Sequence, residues 1–205
     1  CNPTGGVLND ASMNAIAEIC VKYNLAVFSD EIYSQLIYDG LKFHSIAEYP
    51  GMRERTVMMN GFSKTYAMTG WRVGYLAMDE RFMNNILRVH QYSTTTGVTF
   101  IQAALARTMN SAEVMADVDR MVKEFERRRN IVVEELSKID GISFVKPSGA
   151  FYVLINISRT GMTGEEFANR LLNEKYVSCV PAIAFGAEYG DYIRISFATG
   201  EDNIR

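Results

Sequence analysis

Two short apolar runs constrain this chain more than any other feature. LAVFSD ends at Asp30 and TVMMNG ends at Gly61, and each is the length of a buried strand bounded by turn or polar residues. Before the first run, Met13, Ile16, Ala17 and Cys20 recur at helical spacing between Asn9 and Tyr23. Before the second stands a Pro50-Gly51 turn, and a third strand is expected in WRVGYLAM, Trp71 to Met78. Strands separated by helical or loop material imply an α/β layer architecture.

After Asp79 the pattern turns helical. Stretches near Glu80 to Tyr92 and Val98 to Met109 are followed by a long one from about Ser111 to Ile139, with Gly141 expected as its C-terminal cap. Beyond it, ISFV, AFYVLIN, a helix near Gly164 to Asn173, YVSCV and DYIRISFA describe a smaller α+β unit. The expected division is therefore residues 1–110 in a larger domain and 111–205 in a small one that begins with a bridging helix.

Composition removes several function classes. With a net charge of −3 and 22% charged residues, the chain lacks the concentrated positive charge that phosphate backbones demand, so no nucleic-acid partner is expected. The one basic cluster, Arg127-Arg128-Arg129, is assigned to the solvated face of the long helix. No apolar run suits a membrane helix and no signal-peptide pattern is present. Cys1, Cys20 and Cys179 are widely spaced without C-x-x-C pairing, which points to neither a disulfide framework nor a zinc site and fits a reducing cytoplasm. The chain opens on Cys1 rather than Met, directly into the turn signal Asn2-Pro3-Thr4-Gly5, and is expected to be cut from a longer one.

Four residues stand out chemically. Lys64 follows the TVMMNG strand, and ligands of open α/β sheets sit outside the carboxyl ends of strands. A lysine attacks carbonyls when a desolvated or cationic setting lowers its pKa, although a lone lysine is more often a surface charge. Asp30 closes LAVFSD with Tyr33 three residues on; it could hold a heterocyclic N–H protonated, or simply cap a helix. Arg72, after the Thr69-Gly70 turn, has the rigid fork suited to a phosphate dianion, or to a surface ion pair. Arg194 sits within the apolar DYIRISFA strand, on the face opposite Ile193 and Ile195, which could meet solvent or a site. His44 and His90 are isolated, and no metal site is expected.

Together, NPTG at Asn2 to Gly5, DEIY at Asp30 to Tyr33, SKTYAMTGWRVGY at Ser63 to Tyr75, PSGAFY at Pro147 to Tyr152 and YIRIS at Tyr192 to Ser196 resemble, in order and spacing, the fold-type I pyridoxal-phosphate aminotransferases of class I/II, similar to aspartate aminotransferase. The resemblance implies that residues 1–110 are the C-terminal part of a large cofactor-binding domain with a mixed, mostly parallel sheet, and that 111–205 are the small domain. It implies pyridoxal 5'-phosphate as cofactor, Lys64 as the Schiff-base lysine and proton carrier, and Asp30 on the pyridinium nitrogen. Tyr33 and Asn2 would meet the phenolic oxygen, Arg72 and Ser63 the phosphate, and Arg194, with Asn2, the substrate α-carboxylate. The implied reaction moves an amino group between an α-amino acid and a 2-oxo acid with ping-pong kinetics, in a cytoplasmic homodimer.

Three departures qualify the resemblance. The hydroxyl residue common three positions before the lysine is Gly61 here; Pro181-Ala182 stands where Pro-Gly is common; and a domain-sized segment is expected ahead of NPTG. Two other functions share these residues: a lyase or decarboxylase on the same cofactor, and an aminotransferase-like sensor domain of a transcription regulator.

Overall fold

Asn9 starts the first helix, α1 (Asp10–Lys22), by accepting the Ser12 amide at 2.9 Å, one of the donors a helix N-terminus leaves unpaired. Its buried stripe, Met13, Ala17 and Cys20, packs with Ile46 and Met52 into a small core. The chain then enters β1 (Val27–Asp30), which pairs in parallel with β2 (Thr56–Gly61), placing Asp30 opposite Met59. β3 (Gly74–Ala77) runs antiparallel to β2, with Gly61 opposite Gly74. The sheet is thus mixed, in the order β1-β2-β3. It starts its third strand later than the apolar pattern suggests, because Thr69–Trp71 forms one tight 3-10 turn and Arg72 adopts left-handed backbone at φ 53°, which no strand continues through. α2 (Glu80–Thr94) and α3 (Thr99–Thr108) follow.

The computed structural model describes all 205 residues, and they form two compact units. One holds residues 8–35 and 42–120; the other holds 1–7, 36–41 and 121–205. α4 (Ala112–Leu136) carries the chain from the first to the second. In the second, β4 (Ser143–Phe144), β5 (Tyr152–Asn156), β6 (Val180–Pro181) and β7 (Tyr192–Ser196) make an antiparallel sheet in the order β4-β5-β7-β6. Val153, Ile155 and Ile193 face a core completed by Val132 of α4, Ile157, Phe197 and Tyr38. Residue alternation leaves Arg194, paired across to Leu154, on the opposite face of β7.

Three local expectations change. α4 ends at Leu136, not near Ile139: the amides of Lys138 and Ile139 close short turns onto Glu135 and Leu136, and Gly141, at φ 84°, serves the turn into β4. YVSCV contributes only Val180 to β6, since Tyr176 is spent as the left-handed cap of α5 (Gly164–Lys175). Arg129 is fully buried rather than solvated. Successive helix residues point about 100° apart, so a run of three arginines cannot share one face.

α5 begins with a reciprocal cap, in which Thr163 accepts the Glu166 amide and Glu166 accepts the Thr163 amide. Thr163→Ala removes the first of these and is expected to lower unfolding stability by about 1 kcal/mol, read from urea denaturation. An unchanged midpoint would show that the cap is dispensable.

Candidate functional site

The register of the three-stranded sheet decides which residues share an edge. β1 and β2 are parallel, with β2 running two residues past Asp30's partner Met59 to Gly61, and β3, being antiparallel, begins at that same edge opposite the end of β2. Asp30 closes β1, Tyr33 follows it, Ser63 and Lys64 follow β2, and Arg72 precedes β3. Five of the sequence-derived candidates therefore gather at the carboxyl edge of one sheet, where ligands of open α/β sheets bind.

The loops there are tied down by backbone hydrogen bonds. Phe62 N–H donates to Val73 O at 3.3 Å, Met68 N–H to Phe62 O at 3.2 Å and Ala67 N–H to Lys64 O at 3.2 Å, which closes the Lys64 segment into a turn. Thr69 Oγ1 adds a bond to Ser63 O at 2.7 Å. Asp30 Oδ1 accepts the Ile32 amide at 3.1 Å, and Asn60 Nδ2 donates to Ser34 Oγ at 3.1 Å, joining the loop after β1 to β2. Beside Asp30, the buried Glu31 carboxylate accepts the hydroxyls of Ser29 and Ser45 at 3.0 and 2.6 Å. Lys64, Tyr33 and Ser63 are half-buried, while Asp30 and Arg72 are exposed. Arg72 donates to Thr69 O at 2.9 Å.

Gly61 is where the sequence departs from the resemblance, and the sheet explains it. A β-carbon there would lie 3.1 Å from both Gly74 Cα and Val73 O and 3.3 Å from Ile32 Cδ1. Two of those three atoms are backbone, so a side chain at Gly61 requires β2 and β3 to give by a few tenths of an ångström.

Asn2 and Arg194 belong to the other unit, and the structure brings these two together. Arg194 Nη1 donates to Asn2 Oδ1 at 2.7 Å. The guanidinium lies between two rings, 4.4 Å from the Tyr152 centroid and 4.9 Å from that of Phe185. Its Nε is buried without a hydrogen-bond partner. All the partners it has are neutral. The sequence reading missed both rings; the signal for Tyr152 was available, because PSGAFY runs into the strand that pairs with β7.

Below Asn2 lies a second arginine the sequence reading misplaced. Arg129 grips Asp39 with both terminal nitrogens, at 2.9 and 2.8 Å, donates to Pro147 O at 2.7 Å and sits 5.0 Å from the Tyr38 ring centroid. Hydrogen bonding from Arg129 holds the Asp39 carboxyl below the usual range, with Lys146 adding to it. Burial pushes the Tyr38 hydroxyl up.

A cavity of about 270 Å³ opens elsewhere, at the amino ends of β1 and β2, lined by Asn24, Leu25, Ala26, Glu54, Arg55, Arg81 and Phe82. None of the candidate residues lines it. Its guanidinium groups are already engaged by carbonyls, Arg55 on Gly51 and Arg81 on Glu54.

Comparison with known proteins follows the same residues. The family model described as Aminotransferase class I and II matches residues 1–204. Aromatic-amino-acid aminotransferase 2 of Thermococcus litoralis is 44% identical over 203 residues, covering 99% of this chain and 52% of the relative. The aspartate aminotransferase of Pyrococcus abyssi is 43% identical over 204 residues, covering 100% of this chain and 52% of the relative. The crystal structure of an aromatic aminotransferase from Pyrococcus horikoshii superposes with a TM-score of 0.95 at 42% identity, over 100% of this chain and 54% of that one. The chain spans about half the length of the relatives it matches.

The close contact at Gly61 makes a direct prediction. Gly61→Ser supplies the hydroxyl common at this position but forces β2 and β3 apart, at an expected cost of roughly 1–3 kcal/mol in urea denaturation. Wild-type stability in this variant would overturn the steric explanation.

Proposed function

The chain belongs to the class I and II aminotransferases, a pyridoxal-phosphate-dependent family, and from that premise we propose that the protein transfers an amino group between an α-amino acid and a 2-oxo acid. The observation that carries this reading is the convergence of Asp30, Tyr33, Ser63, Lys64 and Arg72 on one sheet edge.

That donor set fits pyridoxal phosphate. An amine for its aldehyde, a carboxylate for its ring nitrogen, a phenol for its phenolic oxygen and a guanidinium for its phosphate stand together in segments fixed by the hydrogen bonds above. When bound, the group supplies an electron sink that makes the substrate α-proton removable. The protein's residues do the rest. Asp30 holds the ring nitrogen protonated, because an adjacent anion favours the charged form. Arg72, with Ser63, anchors the phosphate, and Gly61 leaves that anchoring to them. Tyr33 and the Asn2 amide donate to the phenolic oxygen.

Arg194 receives the substrate α-carboxylate. Its Asn2 bond and two flanking rings fix the plane of the fork, and its unpartnered Nε supports the reading of a cation held for a ligand. Lys64 Nζ, the amine that would hold the cofactor aldehyde, would take the proton from the substrate α-carbon as base and give it up again as acid. A second 2-oxo acid reverses these proton moves, which gives alternating, ping-pong turnover.

The same reading includes a homodimer in a reducing compartment. Exposed apolar residues on the sheet and on α2, among them Phe28, Leu76, Met83 and Leu87, support association. No disulfide joins the three cysteines, which suits a reducing compartment. No helix is long and apolar enough to cross a membrane. The proposed domain division remains a large cofactor-binding domain part in 1–110 and a small domain from 111.

Borohydride reduction of the chain with added pyridoxal phosphate, followed by peptide mass spectrometry, tests the reading. The adduct is expected on Lys64 and is expected to vanish in Lys64→Ala. Adducts scattered over surface lysines, unaffected by that substitution, would overturn the assignment of Lys64.

A further inference from the structure

Arg129 has no place in the chemistry above, yet it is the largest fully buried side chain in the protein. Its surroundings connect it, link by link, to the substrate end of the site. Arg129 Nη1 holds the carbonyl of Pro147, and its paired nitrogens hold Asp39, which follows Tyr38 in a left-handed turn at φ 58°. Tyr38 in turn fixes the neighbouring segment, its amide donating to Ser148 O at 3.0 Å and its hydroxyl to Ala150 O. The Pro147–Ala150 turn is therefore pinned from below by one guanidinium and the two residues it organises.

The upper face of that turn receives the Asn2–Gly5 segment. Ser148 N–H and Gly149 N–H both donate to Gly5 O at 2.9 Å, and Gly5 closes its own turn through N–H to Cys1 O at 2.8 Å. Contact there is tight. A β-carbon on Gly5 would come within 2.6 Å of Pro147 Cβ and 2.9 Å of Tyr152 O, and its backbone is left-handed at φ 67°. Asn2, three residues back in the same turn, accepts from Arg194. The links run through the bidentate Arg129–Asp39 pair, backbone hydrogen bonds between the two turns and single side-chain bonds at Pro147, Ala150 and Asn2, and these tie Arg129 to Arg194 through one short path.

We propose that Arg129 is a positioning residue for carboxylate recognition: by clamping the Pro147–Ala150 turn it sets the surface on which Gly5 docks, and thereby the aim of Asn2 at Arg194. The inference rests on the reading of Arg194 as the substrate-carboxylate arginine. A lysine at 129 keeps the charge but loses the planar fork that grips Asp39 and Pro147 together.

The test compares the wild-type chain with Arg129→Lys, Gly5→Ala, their double variant and Arg194→Lys. Three readouts are taken: the nitrogen-15 NMR signal of the Arg194 Nε–H, hydrogen exchange at the Ser148 and Gly149 amides, and calorimetric affinity for 2-oxoglutarate. Arg129→Lys and Gly5→Ala are each expected to move the Arg194 signal and to speed exchange at Ser148 and Gly149 while the β5 and β7 amides stay protected. Each is expected to weaken 2-oxoglutarate binding on the order of ten- to a hundredfold, as small misplacements do. The double variant is expected to lose less than the product of the two, because both act on one relay. Should Arg129→Lys fail to fold, Asp39→Asn removes the paired anion while Arg129 keeps Pro147, and the same changes are expected.

A folded Arg129→Lys with an unmoved Arg194 signal and wild-type affinity would overturn the proposal and leave Arg129 a stability residue. If Arg194→Lys itself binds 2-oxoglutarate as the wild type does, the assignment of Arg194 falls and this inference falls with it. Loss of binding in Arg194→Lys but not in folded Arg129→Lys sinks this inference alone.

Discussion

A fully buried guanidinium is the costliest group in the unit formed by residues 1–7, 36–41 and 121–205, and that unit is arranged around it. Removing one arginine from water costs several kcal/mol after relaxation, and in this pair only the guanidinium is buried, Asp39 remaining exposed. Arg129 recovers the loss with the Asp39 fork, the Pro147 carbonyl, the Tyr38 ring and a Glu126 oxygen at 3.5 Å. These partners come from chain positions about ninety residues upstream, one turn earlier in the helix and eighteen residues downstream. A hydrophobic residue could fill the same volume as stably. It could not make directional bonds to two separate segments at once, and directionality is what holds the Tyr38–Asp39 turn and the Pro147 turn together.

Much of the site was legible in the sequence for a physical reason. Residues at the carboxyl edge of a sheet follow parallel strands, and strands announce themselves by short apolar runs, so Asp30 and Lys64 could be placed from sequence, whereas Arg72, expected inside the third strand, instead precedes it. Arg194 was legible by the same alternation, since a cation between Ile193 and Ile195 must face away from them. What failed was of another kind. The burial of Arg129 depends on which of three adjacent helix faces meets the core, and its partner Asp39 carries no local pattern linking the two. The short β6 and the late start of β3 reflect left-handed residues, Tyr176 and Arg72, that are not glycines. Such positions are set by tertiary packing rather than by propensity.

Gly61 shows how one local constraint redistributes a chemical task. β2 and β3 meet at a tight Gly61–Gly74 pair, where a side chain would require the strands to shift by a few tenths of an ångström. With glycine at that strand end, on the proposed reading the phosphate depends on charge and on the backbone beyond the strand. Arg72 is suited to that burden because its left-handed backbone and its bond to Thr69 O restrict where the fork can point. Strain of this kind in a non-glycine residue costs about 1–3 kcal/mol and persists where surrounding structure enforces it. The Phe62–Val73 and Met68–Phe62 hydrogen bonds are that enforcement.

Arg194 is left, by the same accounting, less satisfied than Arg129. Two cation–π contacts at partly exposed sites contribute about 0.5–1 kcal/mol each, and a neutral acceptor adds one charge-assisted bond. Against these stands a buried Nε without a partner, a deficit of about 1–3 kcal/mol. Two arginines on one unit thus have opposite electrostatic characters: one is bound to an internal carboxylate, the other to neutral groups only. An internal acid beside Arg194 would have relieved the deficit, and on the proposed reading an arriving carboxylate would then have had to displace it. Held by rings and an amide oxygen, the fork stays oriented but uncompensated, and the free energy it lacks is what a carboxylate ligand would supply.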